Sequence, residues 1–361
     1  MKKTLFIFIS FFTSLLFAQT KINSDYASAY RQALISFENK QYGTSLKYAQ
    51  EAIRLKKENV LKEVNKLERS LATREVRAAG DEINKVIKAL QDRDEFDIAQ
   101  IIEYYVEKKG NDYFNNSIKK LIAYIKTQEE YPEAQKLIGD IYKLEGEYAL
   151  AESFYQKALE YSEVLDVNDE KYSILYLMAD LSRLSGDKNE MEVRLLNITS
   201  TETIEKRTML IKSMVNIIKR DTPGTVDRFF DMYRFEDYYS LNAYCQLAEY
   251  YKEFGELDKA LGFSALAVIT GFSKMDYVIS KRELNYEYKD IQSFLENVVN
   301  YHDLVEWGET NNIWKSFDLL CELSNKCGGK TFSNDLLKVL ARYSPSEYWQ
   351  HTAVIKLDSL N

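Results

Sequence analysis

The stretch LIGDIYKLEGEYALAESFYQKALEY, residues 137–161, decides the fold. It holds no set of residues that performs chemistry, yet its small and aromatic residues keep a strict order: Gly139, Tyr142, Gly146, Tyr148, Ala151, Tyr155 and Ala158. Positions three or four apart stack on one side of a helix, so the residues before and after LEGEY read as two helices meeting at a turn. Gly139 faces the second helix and lets it approach closely. Ala151 and Ala158 do the same from the other side, and the tyrosines fill the flanking gaps. A hairpin this thin cannot bury its own faces and needs neighbours.

The neighbours are in the sequence. Residues 239–268 place Ala248, Tyr251, Gly255, Leu257, Ala260, Ser264 and Ala267 at the same seven offsets. A weaker copy aligns Ala179, Ser182, Gly186, Met191, Leu195 and Ile198, and a window anchored on Ser213 aligns Thr225, Phe229 and Met232. Nearer the amino terminus, Ala33 is followed in register by Tyr42, Ser45 and Ala52, and Ile87 by Phe96, Ala99 and Val106. A last, loose unit is expected near Tyr301, with Leu304, Phe317 and Cys321. Only 3 prolines and 13 glycines punctuate 361 residues, which favours long helices over many strands. The expectation is an all-α fold, a single elongated α-solenoid of helical hairpins with some extended or extra helices.

This pattern resembles the tetratricopeptide repeat family, whose unit is a helix-turn-helix of about 34 residues. The match is specific in the units anchored on Gly139 and Ala248 and looser over most of residues 26–325. The proline that often closes a unit is absent, and the wide spacings at the Ala33, Ile87 and Ala248 boundaries imply extended or extra helices. The resemblance implies a superhelix whose concave face, built mainly from first helices, binds peptides or proteins. If Gly139 faces its own second helix, residues three before, one after and four after turn toward that face. This rule selects Lys136, Asp140 and Lys143, then Tyr176, Asp180 and Arg183, then Cys245, Glu249 and Lys252 as partner-binding candidates. The family grooves that clamp a terminal carboxylate pair a Lys with an Asn four residues on. Here Asp140 follows Lys136, which points to an internal segment or a folded surface as the ligand.

The expected organisation is a signal peptide at 1–18, an N-terminal helical region at 19–135, a repeat core at 136–270 and a C-terminal helical region with a degenerate repeat and cap at 271–361. Residues 1–18, MKKTLFIFISFFTSLLFA, combine Lys2 and Lys3, an apolar run and a small residue at Ala18, the pattern of an export signal. The run is too short to span a bilayer. Export to the periplasm, or secretion, follows. Formal net charge is -8, and losing Lys2 and Lys3 makes it more acidic, so nucleic acid is a poor partner.

Cys245, Cys321 and Cys327 leave at least one thiol unpaired; Cys321 and Cys327 read either as a short-loop disulfide or as two free thiols. Val60, Val64, Leu67 and Leu71 form a short heptad-like seam. It serves either packing against a following helix of the same chain or self-association. Pro132 starts the best repeat.

Catalytic motifs fail on single residues. SNKCGGKT has Ser324 where a phosphate loop needs its first glycine. GFSAL and GFSKM lack the last glycine of a nucleophile elbow. The calcium-loop-like run from Asp166 has Lys171 where Gly is needed and Leu177 where a bidentate Glu belongs. His302 and His351 have no ligand-spaced companions. No motif calls for a cofactor or a metal.

Three functional classes remain. The first is a non-enzymatic protein-binding scaffold of the bacterial envelope, loosely similar to the tetratricopeptide proteins of periplasmic flagellar collars. The second is an accessory that holds a sugar, lipid or other solute for transport or polymer handling. A hydrolase is the weakest.

Overall fold

The structure, a computed structural model, describes residues 25–199, 204–220, 222–235 and 238–360. The export signal expected at 1–18 lies outside them. Among the described residues the chain is all helical, and an isolated antiparallel bridge joins Glu82 to Ser117. It divides into two compact units, residues up to Ile174 and from Leu175 on.

The first unit holds α1 (Asp25–Glu38), α2 (Tyr42–Leu71), α3 (Arg74–Ala78), α4 (Ile83–Gln91), α5 (Phe96–Lys109), α6 (Ile118–Thr127), α7 (Pro132–Glu145) and α8 (Tyr148–Glu160). Pro132 occupies the first turn of α7, where its missing N–H costs nothing. The thirty-residue α2 serves two cores. Its first half, through Ala49 and Ala52, packs with Ala33 of α1 and with Ala134, Leu137 and Ile138 of α7. Its second half carries Val60, Val64 and Leu67 into a cluster with Ile83, Leu90, Ile102, Leu121 and Ile125 of α4 to α6. The heptad-like seam is thus buried within its own chain, with Leu71 packed at its edge.

The helix α9 (Glu170–Leu184) carries the division between the units. The second unit continues with α10 (Lys188–Ile198), α11 (Ile204–Ile218), α12 (Thr225–Met232), α13 (Leu241–Glu253), α14 (Leu257–Arg282), α15 (Ile291–Val299), α16 (His302–Thr310), α17 (Ile313–Lys326), α18 (Lys330–Tyr343) and α19 (Glu347–Leu360). Its centre is α14, buried from Ala260 to Ser273 and packed by α11, α13, α15 and α17. Two bare glycines allow this: the side chain of Ile211 lies against Gly262 and that of Ile313 against Gly271. The helix runs unbroken past residue 270, where the repeat core was expected to end.

Among the described residues one turn closes six α-helices. A residue in the left-handed region ends the first helix: Lys40, Asp94, Gly146, Gly186, Gly255 or Gly328. The next residue's N–H then donates to the carbonyl five positions back: Gln41 to Ser36 at 2.8 Å, Glu95 to Leu90 at 3.0 Å, Glu147 to Tyr142 at 2.9 Å, Asp187 to Ser182 at 2.9 Å, Glu256 to Tyr251 at 2.9 Å and Gly329 to Ser324 at 2.8 Å. This is the Schellman closure, which satisfies carbonyls the helix end would leave orphaned. In five of the six turns the accepting carbonyl stands three residues after a sequence-derived anchor: Ala33, Ile87, Gly139, Ala179 or Ala248.

The sixth corrects the reading of the carboxyl-terminal region. Phe317 and Cys321 do not belong to the second helix of a unit near Tyr301. They lie on α17, the first helix of a hairpin with α18, and its anchor is Cys321. The α16–α17 junction at Asn311 and Asn312 lacks the five-residue closure, and α15 and α16 are an insertion. The new register is independently marked. Ser333 Oγ donates to the Cys321 carbonyl at 2.7 Å, as Ser45 Oγ, at the same offset in the first hairpin, donates to that of Ala33 at 2.8 Å. All three cysteines are free.

Candidate functional site

The two hairpins with the full signature share more than their turn. Tyr142 and Phe154 stack at 5.5 Å between α7 and α8, and Tyr251 and Phe263 stack at 5.4 Å at the same offsets between α13 and α14. They differ at the next position. In the first, the Tyr155 ring covers Gly139 and its hydroxyl donates to Asp140 Oδ1 at 2.7 Å. In the second, Ser264 takes the place of Tyr155. Among the signature residues, Gly139, Ala151, Tyr155, Ala158, Ala248, Tyr251, Ala260 and Ala267 are buried, Tyr142 and Tyr148 are half-buried, and Gly146 and Gly255 make the turns.

The face candidates make contacts with other residues of the chain. On α7, Lys136 Nζ lies 3.6 Å from Asp140 and 3.6 Å from Glu170, with about four-fifths of each partner of the first pair covered. Lys143, half-buried one turn on, also has a partner. Beside this face, Lys56 Nζ stands over the Tyr131 ring at 4.2 Å. Glu133 of α7 accepts the Asp166 N–H at 2.8 Å through one oxygen, while its other finds no partner. Burial pushes the Glu133 carboxyl above its usual range, against the pull of Lys56, and burial lowers Lys56.

In the second unit, the Tyr176 hydroxyl donates to the Tyr239 carbonyl at 2.5 Å and accepts the Ala243 N–H at 3.0 Å. It therefore clamps the entry to α13. Asp180 pairs with Arg183 at 2.5 Å on the exposed side of α9. Cys245, Glu249 and Lys252 form a ladder along α13 toward α17. Cys245 Sγ meets Ser316 Oγ at 3.1 Å, Glu249 pairs with Lys315, and Lys252 Nζ meets Glu322 at 2.8 Å. Burial would raise the Glu322 carboxyl, but hydrogen bonds from Lys252 and Lys326 hold it below the usual range. Burial pushes the Cys245 thiol up to about 11, so it stays a neutral thiol at physiological pH.

The period-3.6 rule thus finds the α13 residues that line the junction between two first helices. It misses their α17 partners, Lys315, Ser316 and Glu322, because the unit anchored on Cys321 was placed in the wrong register. The run Cys321, Ser324, Gly328 and Ser333 carries the signal, with Cys and Ser as the small residues. Among the described residues, no group of three or more His, Cys, Asp or Glu could hold a metal ion, and no helix is long and apolar enough to cross a membrane.

No family model matches the chain. It is similar to an uncharacterized protein of Treponema pallidum (strain Nichols), 28% identical over 329 residues that cover 90% of this chain and 87% of that one.

Proposed function

We propose that the chain is a non-enzymatic scaffold of the bacterial cell envelope, a solenoid of tetratricopeptide-like hairpins whose first helices present a protein-binding face. The observation that carries this reading is the turn repeated six times in one register, with the Ser45 and Ser333 hydrogen bonds at one offset. Repeats of this kind expose extended surfaces suited to polypeptide ligands. The mixed charges and tyrosines on α7, α9 and α13 fit a polar protein segment better than a lipid. The location in the envelope rests on the export pattern of residues 1–18, and a role in assembling a large complex, flagellar-collar-like, on the loose similarity of sequence.

Capture of the mature protein from crosslinked envelopes tests it. Components of one large assembly support the scaffold. Transporter components support solute handling instead, and turnover of a substrate by the pure protein overturns the non-enzymatic reading.

A further inference from the structure

Where Tyr155 fills the first signature hairpin, the second has a hole. Ser264 stands at the equivalent position on α14, and a pocket of about 90 Å³ opens there, between α13, α14 and the first two turns of α17. Such a volume holds about three waters. Ser264 is one of the lining residues and 1% exposed, and its buried hydroxyl finds no partner. A buried hydroxyl left unmatched carries a desolvation cost. The first hairpin shows what the geometry accommodates: an aromatic ring against the first helix, its hydroxyl donating to the carboxylate one residue past the anchor. That carboxylate is Asp140 in α7, and Glu249 is its counterpart in α13, on the pocket wall.

We propose that this pocket receives a phenol ring, the side chain of a tyrosine on a partner polypeptide, with its hydroxyl bonded to Ser264 and Glu249. Ala248, Ala267 and Leu319 give the ring apolar walls, and Lys315 and Ser316 stand at the polar side. The Ala248 methyl takes the place left bare at Gly139, so the incoming ring stands off α13 toward α17 instead of lying flat as Tyr155 does. Glu249 is already paired with Lys315, which disfavours a carboxylate ligand and suits a neutral donor. The Cys245 thiol is neutral and adds no charge. This inference rests on the scaffold reading for its partner, but the pocket's chemistry is testable without one.

The probe is N-acetyl-L-tyrosinamide, titrated into the isotope-labelled mature chain while the backbone amides of Ala267, Lys315 and Ser316 are followed by NMR. Saturable shifts are expected at those amides. N-acetyl-L-phenylalaninamide should bind at least about fivefold more weakly, since each net hydrogen bond lost costs about that factor, and N-acetyl-L-asparaginamide should leave them unmoved. Two variants close the pocket by different routes: Asn242→Trp at the exposed rim, and Ala248→Gly with Ser264→Tyr, which restores the chain's own ring. Each should abolish the response.

Absence of shifts up to the solubility limit, or equal binding of the three probes, overturns the phenol site. Partner capture that survives both closures, in variants that no longer answer the probe, overturns the assignment to a partner's tyrosine. A probe response without any captured partner upholds the pocket and counts against the scaffold reading instead.

Discussion

The ring of Tyr155 rests on the backbone of Gly139 so closely that a methyl group built on the glycine would come 2.5 Å from the ring edge. Gly139→Ala must therefore displace the ring from its contact and its hydroxyl from Asp140. A destabilisation of roughly 1–3 kcal/mol is expected, the usual cost of overpacking. Ala151→Leu, at a fully buried site on the facing helix, should cost a similar amount. Tyr155→Phe should cost only about 1 kcal/mol. Thermal or urea unfolding measures all three, and an unchanged midpoint for Gly139→Ala would contradict the packing described.

Lys40 and Asp94 hold, at φ 60° and 59°, the turn position that Gly takes in the other four hairpins. A side chain in that region is strained by about 1 kcal/mol or more, partly offset by the greater unfolded-state freedom of glycine. Lys40→Gly and Asp94→Gly should each raise stability by roughly 0.5 kcal/mol, net of those two effects. Urea midpoints that fall instead would show that these side chains contribute contacts outweighing the strain.

The buried Glu133 makes stability depend on pH. Its carboxyl is held above the usual range, chiefly by burial, so the folded chain binds the proton more tightly than the unfolded one. Its contribution is fully present below the unfolded value near 4.5 and is lost as pH rises through the folded one. Glu133→Gln keeps an acceptor for the Asp166 N–H and removes the charge. The variant should be at least as stable as the parent at pH 7, with a flatter loss between pH 5 and 7 in urea titrations. A parent that gains stability over that interval would reverse the sign.

Lys136, Arg183 and Lys252 each have an intrachain carboxylate partner, so reversing their charges would set like charges together. Neutral replacement by Met or Gln is the cleaner probe, and each change should cost about 0.2–1 kcal/mol. Helical content should hold by circular dichroism while capture of an envelope partner weakens. Undiminished capture would move the binding site off the first-helix face.

The hairpins were legible in the sequence where small residues mark them. Gly139 and Ala248 state the close approach of two helices in the identity of single residues, and the turn glycines state the left-handed backbone. Lys40 could not announce its turn, because lysine rarely takes that conformation, and Asp94 marks its turn more weakly than a glycine does. Gly262 and Gly271 lie inside α14, where they are sites of contact with Ile211 and Ile313. The Cys321 anchor was hidden because Cys and Ser do there what Gly and Ala do elsewhere. Of the candidate site, the α13 half followed from helical period. The α17 half required knowing that α15 and α16 intervene.

The dependence of α14 on Ile313 also sets a constraint on biosynthesis. A ribosome releases α13 and α14 well before it has made α17, and until then the α14 surface around Gly271 has no cover. At ordinary synthesis rates that interval is on the order of seconds, long compared with the collapse of a nascent chain. The last hairpin is thus the lid of a core begun much earlier, and a chain stopped before it would leave the ribosome with an apolar stripe open to chaperones or to other nascent chains.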